Sequence, residues 1–70
     1  MKITINRKRL NDYEIDGILK CGCSVIRYHN QLNRRKTDKI VIETEQNFNR
    51  FKLFMFLNER KIKIIEQSIL

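Results

Sequence analysis

Residues 10–20, LNDYEIDGILK, decide the fold. Asn11 with Glu14 three positions on is the pairing of a capping box, with Asn in place of the usual Ser or Thr. Leu10, Ile15, Ile18 and Leu19 give the following turns an apolar side, and Gly22 falls where a residue just past a helix end wants positive φ. The spacing therefore predicts a helix from Asn11 to about Lys20. Gly17 in its middle argues the other way, because glycine weakens a helix interior. Read as a strand or an irregular loop, residues 10–20 leave a β-rich sheet with a single helix at 47–59.

On the N-terminal side, Lys2 to Arg7 alternates, with Ile3 and Ile5 on one face and Thr4 and Asn6 on the other. That is a short strand with one buried face. On the C-terminal side, Cys23 to His29 reads as a second strand with neither face cleanly apolar. Lys39 to Glu45 reads as a third, with Ile40 and Ile42 inward and Glu43 and Glu45 outward. A second helix is predicted from Gln46 or Asn47 to about Glu59, and a fourth strand from Arg60 to Leu70, with Ile62 and Ile64 opposite Lys61, Lys63 and Ile65. The order β-α-β-β-α-β has an economical solution in the ferredoxin-like α+β fold, four antiparallel strands with two helices on one face. Seventy residues make one domain, 1–70, with a thin stability margin.

Between the second and third strands lies Asn30 to Lys39, NQLNRRKTDK, a long basic loop. In this topology the first two strands run parallel through a right-handed crossover, so the turn after strand one, this loop, and the start of strand four share one end of the sheet. Three basic clusters then converge: Arg7-Lys8-Arg9, Arg34-Arg35-Lys36 with Lys39, and Arg60-Lys61. The acids Asp12, Asp38 and Glu59 are too few to neutralise them. A one-sided field of this kind is the footprint of phosphate binding, and the net charge of +7 suits nucleic acid, a nucleoprotein or an acidic protein surface. The competing account is that strand ends are simply where solvated charges go.

Other chemistry is poorly supported. Cys21 and Cys23 flank Gly22 with His29 nearby, but a closed zinc site needs four ligands and no second pair exists, so buried reduced thiols and no metal or other cofactor are expected. Metallochaperones of the same topology carry Cys-x-x-Cys in the first turn, where this chain has Arg7-Lys8-Arg9. No catalytic constellation stands out around the single histidine, and there is no phosphate-cradling glycine loop, so the sequence predicts a non-enzyme. A base-stacking sheet is disfavoured too, since the central strands offer Thr4, Asn6, Val41, Glu43 and Glu45 and no aromatics.

The helix at 47–59 is apolar almost all round. Phe48, Phe51 and Met55 share the side expected to meet the sheet, while Leu53, Phe56 and Leu57 lie across from it. Those three are expected to form a homodimer or partner interface, because monomers seldom expose large apolar patches. The start of the chain is charged where an apolar leader segment would sit, and every apolar run is too short to span a bilayer, so a cytoplasmic protein without membrane contact is expected. The abundance of Ile, Lys and Asn with no Ala fits an A+T-rich genome such as that of a low-GC bacterium or its phage. Two function classes follow: a nucleic-acid-binding module acting through phosphates, or a phage-type inhibitor or regulator docking on a larger host protein or nucleoprotein.

Overall fold

The computed structural model describes residues 1–28 and 39–69. Its elements are β1 (Lys2–Ile5), α1 (Asp12–Leu19), β2 (Cys23–Tyr28), β3 (Lys39–Thr44), α2 (Arg50–Glu59) and β4 (Ile64–Ser68). The four strands form one sheet in the order β2-β3-β1-β4, with every neighbouring pair antiparallel. This is the ferredoxin-like β-α-β-β-α-β arrangement. Residues 10–20 are the helix that the capping pattern predicts, and the single-helix alternative is not what forms.

Local signals explain α1. The Asn11 side chain accepts from the Glu14 amide at 2.8 Å, and the Glu14 carboxylate accepts from the Asn11 amide at 3.1 Å, so both halves of the capping box are closed. Gly22 has φ +83°, and a Cβ built there would stand 3.1 Å from the Phe48 Cα. Glycine is thus required both by its backbone angle and by close approach. Gly17 is also explained. A Cβ there would lie 2.4 Å from the tip of the Phe56 ring, so the missing side chain lets α2 rest its aromatic against α1.

The core is one layer between sheet and helices. Ile3 and Ile5 of β1 pair with Ile42 and Ile40 of β3, and all four are fully buried beneath Ile18 of α1 and Leu53 and Leu57 of α2. The expected sides of α2 are therefore reversed, except that Phe48, which precedes the helix, packs against the core as expected. Leu53 is 0 % exposed and Leu57 2 %, and Phe56 is half-buried, whereas Phe51 is 75 % exposed and Met55 47 %. An all-round apolar helix gives no single direction from periodicity alone, and its start fixes the phase. That start is also later than expected. Asn49 caps α2 by accepting from the Lys52 amide at 3.0 Å, while its own amide donates to the Cys21 carbonyl at 2.8 Å. Leu19, expected on the apolar side of α1, is half exposed.

The fourth strand likewise begins four residues later than Arg60, because residues 60–62 close α2. The Ile62 amide donates to the Leu57 carbonyl at 2.9 Å and the Lys61 amide to that of Asn58 at 3.1 Å, with Lys61 at φ +57°. This is a Schellman cap with Ile62 buried behind it and Lys61 in the position usually given to glycine. A left-handed conformation costs a non-glycine residue about 1 kcal/mol. K61G is accordingly expected to stabilise the protein by about 1 kcal/mol, read as a higher urea midpoint at unchanged m-value.

Candidate nucleic-acid interface

The ends of β1 and β2 and the starts of β3 and β4 lie together, as the pairs Ile5–Ile40, Ile5–Ile64 and Tyr28–Lys39 require. Two bonds tie this edge down: the Asn6 amide donates to the Lys63 carbonyl at 2.9 Å, and the Lys63 amide to Asn6 Oδ1 at 3.0 Å. Around it stand Arg7, Lys8, Arg9, Lys39, Arg60 and Lys61, together with Lys63 and Arg27. Sequence reasoning passed over the last two because each sits inside or beside a strand rather than in a basic run. The segment carrying His29, Arg34, Arg35 and Lys36 lies outside the described residues; it joins Tyr28 to Lys39, which are paired at this same end.

The cations are not equivalent. Glu14, 1 % exposed, sits beneath them, an acid that sequence reasoning assigned only to capping. Its Oε2 accepts from Arg7 Nη1 at 3.0 Å and from Arg60 Nε at 3.3 Å, beside the capping bond to Oε1. Arg7 Nη2 also donates to the Arg60 carbonyl at 2.8 Å, at the C-terminal end of α2. Arg7 and Arg60 are thus structural as well as basic. Lys8, Arg9, Lys39, Lys61 and Lys63 are exposed and make no ion pair with another described residue.

Two tyrosines border the cations. Lys39 Nζ lies 5.5 Å from the ring centre of Tyr28, and the Arg60 guanidinium 5.3 Å from that of Tyr13. Tyr28 lies on the sheet face opposite the helices, whose central strands place Thr4 beside Val41 and Lys2 beside Glu43. That face carries no aromatic on β1 or β3.

The remaining chemistry is quiet. Burial pushes the Cys21 thiol up, and burial, with the neighbouring Cys21 and Glu45, pushes Cys23 up to about 11. Both cysteines are free and buried, and Cys21 Sγ donates to the Gly17 carbonyl at 3.2 Å. Among the described residues, no helix is long and apolar enough to cross a membrane. Compared with known proteins, the chain matches no family model, no curated protein and no solved structure.

Burial by itself raises the Glu14 carboxyl, but the Asn11 amide bond, the Arg60 bond and the charges of Arg7 and Arg60 outweigh it and hold the group below its ordinary value. A folded value below the unfolded one means that Glu14 stabilises the fold fully above the unfolded carboxylate range and loses that contribution as pH falls through the folded value. E14Q is expected to cost about 1–3 kcal/mol at neutral pH, as the loss of a charged hydrogen-bond network does. It should also flatten the decline in stability as pH falls through and below the ordinary carboxylate range. Urea unfolding of both proteins across that range measures both effects.

Proposed function

We propose that the protein is a small non-enzymatic binding module that contacts nucleic-acid phosphates through its basic end. The observation carrying this reading is that separate turns bring Lys8, Arg9, Lys39, Lys61 and Lys63 to one edge, exposed and without ion pairs to other described residues. Glu14 neutralises part of the charge of Arg7 and Arg60 but is itself buried, so it offers a ligand no repulsive surface. Arg34, Arg35 and Lys36 belong to the segment that starts and finishes at this edge and add three cations to its composition. Two adjacent arginines suit bidentate phosphate contacts. No base-reading element accompanies them among the described residues, so recognition is of the backbone charge.

A second reading has its own support. Phe51 and Met55 form an exposed apolar stripe on α2, away from the basic end's strand edges, which suits docking on a protein. In that reading the module is a regulator, such as a phage-type inhibitor, of a larger protein or nucleoprotein.

Fluorescence anisotropy with DNA and RNA oligonucleotides at about 50 and 200 mM salt tests the first reading. Affinity is expected to fall steeply with salt, since each neutralised phosphate releases counterions. The variants R34A/R35A/K36A and K8A/R9A/K61A/K63A should each bind more weakly across all sequences, with the salt slope reduced by about one for every phosphate-binding cation removed. The second variant should keep its stability to within about 0.5 kcal/mol per substituted position, since all four are exposed. Wild-type affinity in both variants would leave the charge merely solubilising. Recovery of a protein partner from nuclease-treated lysate, abolished in F51D, would favour the second reading.

A further inference from the structure

The outward face of α2 has an organisation of its own. Phe51, Phe54, Met55 and Asn58 follow the i, i+3, i+4, i+7 spacing of a helix-packing stripe and, with Arg50, line one shallow groove. Leu53 and Leu57 already serve the sheet, Phe56 already serves α1, and Phe54 is partly buried against the core, so Phe51, Met55 and Asn58 are the members of the stripe left exposed. Along one flank run Lys52 and Glu59, both exposed, opposite in sign and seven positions apart. Seven residues are two helical turns, so the two charges stand on the same flank about 10 Å apart along the axis.

We infer that this face binds a second copy of itself, α2 against α2 in an antiparallel, two-fold symmetric pair. Reversing the helix about a point between Phe54 and Met55 sets Phe51 against Asn58 of the second copy and Phe54 against its Met55. The same operation brings Lys52 within about two residues' rise, roughly 3 Å along the axis, of Glu59 of the second copy. Symmetry makes that ion pair twice. The direction follows from charge. α2 ends at the basic edge, where Arg60 and Lys61 follow it, so a parallel pair would press two strongly basic ends together. The antiparallel pair sends them to opposite ends of the assembly. The dimer thus carries one basic end at each extremity, whatever those ends bind. A ten-residue helix makes a small contact, so the dimer is reversible and concentration-dependent.

Sedimentation velocity without nucleic acid, over about 5–500 µM protein, provides the test. Wild type is expected to pass from monomer to dimer over that range. K52E and E59K should each raise the dissociation constant about tenfold, because each places two pairs of like charges face to face, and K52E/E59K should return to within about threefold of wild type. Lys52 and Glu59 are both exposed, and thermal melts verify that the variants stay folded. M55C should form a disulfide-linked dimer under mild oxidation, whereas F51C should not, since the two Phe51 positions stand about 10 Å apart along an antiparallel pair. A wild type that stays monomeric throughout, as docking of an acidic partner helix would require, overturns the inference. So does a double reversal no better than the singles, or cross-linking of F51C as efficient as that of M55C. Loss of phosphate binding with dimerisation intact would instead count only against the basic-end reading.

Discussion

A single buried carboxylate holds three parts of the chain together. Glu14 belongs to the first turn of α1, Arg7 to the turn leaving β1, and Arg60 to the close of α2. Burying an ionised carboxylate is strongly unfavourable unless its oxygens are satisfied. Here an amide and two guanidinium groups satisfy them, and no buried side-chain polar atom is left without a partner among the described residues. The Arg7 bond to the Arg60 carbonyl closes the loop by serving the C-terminal end of α2. Both crossovers of the fold are therefore fastened at one end of the sheet.

That fastening gives the basic end its character. A cluster of arginines and lysines at strand ends would by itself push the chain apart. The buried Glu14 offsets part of that repulsion from below, and Asn6 clips the start of β4 to the end of β1. The lysines left over stand on a rigid edge rather than on frayed ends. For the phosphate ligand proposed above, the backbone of that edge would already be in place before binding. Tyr13 and Tyr28 extend the edge with aromatic surface already in contact with its cations.

α2 serves two neighbours and turns a third apolar side outward, and this accounts for its lack of a single apolar face. Leu53 and Leu57 fill the core against Ile3 and Ile42, while Phe56 lies over Gly17 and 6.0 Å from the Tyr13 ring. Phe51 and Met55 look outward. Gly17 and Phe56 are a matched pair: the weakness that glycine brings to α1 is the space that the aromatic occupies.

The sequence by itself determined what is local. The alternation at Ile3 and Ile5, the Asn11–Glu14 pairing and the glycine after α1 each act within a few residues, and each forms as its pattern dictates. Once those elements exist, chain connectivity brings the basic turns to one end. Tertiary structure alone decided the rest. Whether Arg7 and Arg60 face a ligand or Glu14 depends on bonds across 7 and 46 positions, which no spacing rule encodes. The rotation of α2 depends on where Asn49 caps it, and that is set by its amide reaching the carbonyl of Cys21. A helix that is apolar on every side leaves its orientation to such distant bonds, because hydrophobicity that points everywhere selects no direction.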